Sequence, residues 1–126
     1  MPYTTVSYCG NDHSDWLRNI DFYEGEFNIL EERLLEIVRK NTGEEAMKGL
    51  EHFQNQFIVQ RNNIDELRHS IHEHSSHVAT DSQAHAGKMH SHHTLDHDNL
   101  RNRFESFVKV AQELRHDFNQ YLSKWM

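Results

Sequence analysis

The chain has one proline, Pro2, and five glycines in 126 residues. Proline and glycine are the strongest local breakers of regular structure, so a chain this poor in them is free to form long, uninterrupted helices. Period-two alternation of β-branched residues is nearly absent, and no sheet is expected. Apolar residues recur instead at alternating steps of four and three. The first stripe is Trp16, Ile20, Tyr23, Phe27, Leu30, Leu34 and Ile37. This spacing lines one side of a helix and calls for a partner to bury it.

A second stripe runs Leu50, Phe53, Phe57, Gln60, Ile64, Leu67, Ile71, His74 and Val78. A third runs His93, His97, Leu100, Phe104, Phe107, Ala111, Leu114, Phe118, Tyr121 and Trp125. Residues 1–11 read as irregular, with Asn11 as N-cap of a helix over 12–40. Asn41-Thr42-Gly43 breaks the pattern: Gly43 suits a left-handed turn, and Thr42 with Glu45 forms a capping box opening a helix over 44–79. Residues 80–93 form a small, polar, His-rich connection, either a loop or a short helix capped by Thr80 or Asp81. The third helix is expected over 94–126. Short connections make neighbouring helices antiparallel. The expected architecture is all-α: a single domain forming an up-down-up bundle of three long antiparallel helices. Phe22, Val38, Ile58, Val59, Val108 and Val110 fall outside the stripes. Burying them by homodimerisation, or adding a short fourth helix, would complete a larger bundle.

The net charge is −7 with histidine neutral, which argues against nucleic acid as a main partner. A single cysteine, Cys9, excludes an internal disulfide and fits a reducing compartment. The start MPYTTVSYCGNDHS lacks the basic and apolar segments of a signal peptide, and no apolar run approaches a membrane span. A cytoplasmic protein without membrane association is expected.

Twelve residues are histidine, nine of them between His69 and His97. Histidine is the commonest metal ligand and the side chain that titrates nearest neutrality. Twelve protonated imidazoles would outweigh the seven net negative charges, so the sign of the protein inverts on acidification. Folding the stripes about pivots near 42–43 and 86 places His74 level with Asn11 and with Asp98. His13, His74 and His97 then meet at one end of the bundle, one from each helix. His77 lies three residues after His74, and His93 four before His97, each on nearly the same face. Asp12 and Glu73, with Asp96 and Asp98, are carboxylates within reach as ligands or as supports for imidazole N–H groups. The expected site is therefore His13, His74, His77, His93, His97, Glu73 and Asp12 around a transition metal ion, with iron or zinc favoured and nickel or copper also suited to such a nitrogen and oxygen donor set. Neutral imidazole is the ligating form, and crowding of buried imidazoles favours it.

Other histidines read differently. Glu66 with His69, and Glu113 with His116, match Glu-x-x-His, but both pairs lie off the stripes and read as solvated. His52 reads as a surface residue. His85, His90 and His92 stand between auxiliary ligands and plain loop residues, and Cys9 between a thiolate ligand and an inert thiol. Gln60 reads as a register-fixing polar residue in the core.

The order His13, then His69 with Glu73, then His93 with His97 resembles the hemerythrin-like metal-binding bundles, within the broader ferritin-like class. There a first-helix histidine joins a His-x-x-x-Glu pair and a His-x-x-x-His pair. The histidine and aspartate that a fourth helix supplies in that family have no counterpart here. The resemblance implies non-haem iron with a carboxylate among its ligands, and dioxygen or redox chemistry. Two functions follow from the chain. One is a metal-binding bundle for sensing, buffering or a non-haem redox role, with no separate nucleophile and base that would demand an enzyme. The other is a metal-free dimeric interaction module whose histidines act as a pH switch.

Overall fold

The computed structural model describes residues 3–5, 7–84 and 88–125. Three helices account for nearly all of them: α1 (Ser7–Lys40), α2 (Glu44–Ala84) and α3 (Ser91–Trp125). At 1.5 Å per residue each spans roughly 50–60 Å. Each helix packs against both others, and the bundle is all-α and antiparallel as the stripes require. At one end Asn41 Nδ2, in the α1–α2 turn, donates to the Trp125 carbonyl at 3.3 Å. At the other end the beginnings of α1 and α3 meet the later turns of α2. Among the described residues no helix is long and apolar enough to cross a membrane.

The core is the three stripes face to face. Ile20, Phe27, Leu34, Phe57, Ile64, Ile71 and Phe118 are fully buried. Phe53 meets Phe118 edge-on at 5.2 Å between ring centroids, and Phe27 meets Phe57 at 5.9 Å, within the spacing favoured by aromatic quadrupoles. Gln60 is buried in its stripe and accepts from Asn63 Nδ2 at 3.4 Å. Outside the core, Arg68 donates to Asp21 at 2.7 Å and to Glu24 at 3.4 Å, and Arg61 pairs with Glu31, tying α1 to α2. Phe22, Ile58, Val59 and Val110 are exposed, whereas Val38 is half-buried and Val108 packs on the core.

The boundaries differ from expectation at every end near the histidines. α1 begins at Ser7, not at residue 12, so Asn11 is an internal helical residue rather than an N-cap. Gly10 in a helix interior costs about 1 kcal/mol relative to alanine, a loss that burial of His13 and Trp16 one turn on can offset. Residues 1–11 are not wholly irregular either. Strand β1 (Tyr3–Thr5) pairs antiparallel with β2 (Lys88–His90), giving a two-stranded ribbon where no sheet was expected. Three-residue strands are too short to leave a period-two signature.

α2 runs five residues past its expected end at 79, because Thr80 does not cap. Its hydroxyl bonds back to the Ser76 carbonyl at 3.0 Å and stays within the helix. α3 starts three residues early, at Ser91. The 80–93 connection is thus mostly helix and strand. At the α1–α2 turn, Gly43 takes no left-handed conformation. Asn41 caps α1 instead, with its backbone N–H and its side-chain amide both donating to the Ile37 carbonyl at 2.9 and 3.0 Å. The first bond of α2 runs from Met47 N–H to the Gly43 carbonyl at 3.1 Å, so the N-cap is Gly43 rather than Thr42. Glu44 and Glu45 in the first turn suit the helix dipole.

Candidate metal centre

His13 of α1, His74 of α2 and His97 of α3 occupy the next positions of the three stripes beyond the apolar core. Their neighbours Trp16, Ile71 and Leu100 are buried, and the same helical phase carries the imidazoles inward. His13 is 5 % exposed, His74 6 % and His97 0 %. One ring nitrogen from each lies within 4.8 Å of the others, a separation that can hold a metal ion. Ring centroids are 5.1 Å apart for His13–His74 and His13–His97, and 5.7 Å for His74–His97. Trp16 stacks on His97 at 4.8 Å and closes the chamber on its core side.

The hydrogen bonds fix where the protons sit. His74 Nε2 faces the His93 carbonyl at 3.0 Å, and a carbonyl only accepts, so this nitrogen carries hydrogen. Burial, joined by the charges of neighbouring His97 and His93, lowers the pKa of His74 against the opposing carbonyl bond, so the ring is neutral and its Nδ1 is a lone pair. That lone pair lies 3.0 Å from His13 Nε2, which must therefore donate. Burial above all, with repulsion from His74 and His97, pushes His13 down to about 4. Neutral His13 then accepts at Nδ1 from the Ser75 hydroxyl at 2.7 Å. The chain Ser75 to His13 to His74 to the His93 carbonyl runs in one direction with every proton assigned.

His97 is held from its other side. Its Nε2 lies 2.8 Å from Asp12 Oδ2, and the same oxygen accepts from Arg101 at 3.0 Å. Burial opposes ionisation of Asp12, but the hydrogen bonds from His97 and Arg101 outweigh it and hold the carboxyl below its ordinary range. Arg101 also reaches Asp98 at 2.8 Å, and these two bonds raise its own pKa.

A second group able to hold an ion adjoins the first: His74, His93 and Asp96. His93 is buried, 8 % exposed, with Asp81 Oδ2 3.8 Å from its Nε2; Asp96 is exposed. The other expected residues lie outside the chamber. His77 is exposed, one helical turn beyond His74. Glu73 is exposed and pairs with His69 at 3.4 Å on the surface of α2. Positions 73 and 77 each immediately precede a stripe position, 74 and 78, so both rotate toward solvent. Of the seven expected residues, His13, His74, His97 and Asp12 are therefore brought together, His93 stands beside them, and Glu73 and His77 do not join them. The expected roles for Cys9, His85, His90 and His92 lie outside the described residues and side chains.

Ser75 and Arg101 were missed. Arg101 had a signal, being one turn after His97 on the same face. Ser75 had none, because adjacency to His74 does not bring it toward α1 unless the crossing of the two helices is known.

Compared with known protein families, with curated proteins and with solved structures, the chain has no match.

Proposed function

We propose that the protein is a transition-metal-binding helical bundle whose ion is held by His13, His74 and His97. The supporting observation is that three buried imidazoles, one from each helix, converge within 4.8 Å while each has a partner for its other nitrogen. Those partners are Ser75 for His13, the His93 carbonyl for His74 and the Asp12 carboxylate for His97. Metal-ligating histidines characteristically donate their second N–H to a hydroxyl, carbonyl or carboxylate, which fixes the tautomer and raises ligand basicity.

The donor set fits the ion chemically. Zinc-to-imidazole bonds of about 2.0–2.1 Å place two tetrahedral nitrogens roughly 3.4 Å apart. His13 Nε2 and His74 Nδ1 are 3.0 Å apart, sharing a proton. For an ion to take that proton's place, His13 changes tautomer and donates from Nδ1 to Ser75. His74 keeps its N–H on the His93 carbonyl, and His97 binds through Nδ1 with Nε2 on Asp12. In this arrangement all three histidines would bind the ion as neutral imidazoles.

Three protein ligands leave a coordination position for water or an exogenous group, the arrangement of catalytic rather than closed structural zinc sites. Imidazole ligation suits zinc, copper, iron or nickel. Asp12, hydrogen-bonded to His97, is also engaged by Arg101 and serves as a support. This favours zinc over the carboxylate-ligated iron that a hemerythrin-like site would need. Zinc titration against a chromophoric chelator tests the reading. Wild type and His52→Ala should each bind one equivalent tightly, and His97→Ala should bind none. Equal binding by all three proteins would mean surface chelation and would refute the site.

A further inference from the structure

The trio is buried, so an ion needs a route to it. We infer that the cleft between α2 and α3 is that route, and that His74, His93 and Asp96 form a transit station where an incoming divalent metal ion is first dehydrated. The inference rests on the metal-binding reading above.

The cleft has a volume of about 360 Å³ and is lined by Ser70, Glu73, His74, His77, Asp96, Asn99, Leu100 and Arg103. Glu73, His77 and Asp96 give it oxygen and nitrogen donors at the solvent side, and His74 is buried. A hydrated cation thus meets the exposed Glu73, His77 and Asp96 first and the buried His74 after. The two ligand groups are graded in the same way, one wholly buried and the other with the exposed Asp96 as its outer member. His74 alone belongs to both. For an ion at the station His74 offers Nε2 as a lone pair, so its proton passes to Nδ1, the relay through His13 to Ser75 reverses, and the bond to the His93 carbonyl opens. Asp81 beside the His93 ring adds a second carboxylate behind the station. An ion held by Asp96 and His93 therefore has to cross one imidazole to reach His13 and His97, exchanging water for nitrogen one ligand at a time. Glu73 and His77, which the sequence places among the ligands and the fold places outside the chamber, find their use in this cleft.

A residue that touches the ion only in transit lowers the barrier in both directions. Removing it slows capture and release by the same factor and leaves the dissociation constant unchanged. A ligand of the resident ion behaves otherwise, because its loss speeds release. Stopped-flow mixing of the metal-free full chain with cobalt(II), followed by chelator chase, measures both rates. Glu73 and Asp96 outweigh Arg103 in the lining, and a cleft of net negative charge raises cation on-rates by about tenfold or more. Asp96→Asn should therefore slow cobalt(II) association and dissociation together by about tenfold, and Glu73→Gln should slow both to a smaller degree. Glu113→Gln removes the same charge from α3 about 25 Å away along the helix axis and should leave both rates at the wild-type value.

Faster release from Asp96→Asn would make Asp96 a ligand of the resident ion and overturn the transit role. Rates equal to wild type would overturn the route. Wild-type protein that takes up no cobalt(II) would overturn the metal site itself, an outcome separate from the other two.

Discussion

His97 Nε2 and Asp12 Oδ2 lie 2.8 Å apart, joining the start of α3 to the start of α1 across 85 residues of chain. The imidazole is fully buried, whereas the carboxylate is one-third exposed and is also held by Arg101. The pair does two things at once. It fixes which nitrogen of His97 carries hydrogen, and it places a negative charge behind a ring that would donate to a cation.

Replacing that carboxylate should weaken the metal without removing its ligands. Asp12→Asn keeps an acceptor near His97 but loses the charge. Partners of this kind are typically worth 10–100-fold in metal affinity. The expected result is one equivalent bound with a dissociation constant raised by roughly that factor, measured by chelator competition. Unchanged affinity would place Asp12 outside the site's energetics and reduce it to a link between helices.

The metal-free bundle should lose stability on acidification. His13 is pushed from 6.5 to about 4 by burial and by its histidine neighbours, and His74 is shifted in the same direction. Between those values the unfolded chain binds more protons than the folded one, so stability falls as pH falls. The contribution is complete above about 6.5 and is lost progressively toward about 4. For His13 alone the shift corresponds to about 3 kcal/mol. Urea titrations of chelator-treated protein at several pH values check this, and His13→Ala should flatten the slope. A profile level across this range would mean that the chamber admits protonated imidazole.

At the opposite end, Gly49 makes room for Tyr121. A Cβ on Gly49 would lie 2.7 Å from the Tyr121 hydroxyl oxygen and overlap the ring, which is anchored by donating to the Ala46 carbonyl at 2.9 Å. Gly49→Ala should therefore destabilise by about 1–3 kcal/mol, as overpacking does. In a Tyr121→Ala background the same change should stabilise, by up to about 1 kcal/mol, through helix propensity. Thermal melts of the four proteins form the cycle. Metal stoichiometry should be wild type in Gly49→Ala, because the site lies at the far end of the bundle.

Much of this was legible in the sequence because a helix converts spacing into direction. The steps of four and three that carry Trp16, Ile71 and Leu100 into the core also carry His13, His74 and His97 inward. Counting outward from the first turn and from a pivot near 86 then sets them level. Glu73 and His77 show the limit of that reasoning: proximity in sequence to a ligand is not shared direction. The ribbon of Tyr3–Thr5 with Lys88–His90 left no trace, since three residues hold too little alternation to read. The late end of α2 was hidden by Thr80, a residue that caps helices or bonds back into them depending on its side-chain rotamer. The Ser75 contact depends on how closely α1 crosses α2, which the pattern of stripes does not encode.

The most direct test of the central claim is elemental analysis by inductively coupled plasma mass spectrometry. The protein would be untagged, purified without metal-affinity resin and exhaustively desalted, with His97→Ala treated in parallel. The account predicts about one equivalent of a single transition metal per wild-type chain and none in the variant. Wild-type protein that carries no metal and regains none on incubation with zinc, copper(II), nickel or iron would contradict it, and would leave the three buried imidazoles as a hydrogen-bonded structural cluster.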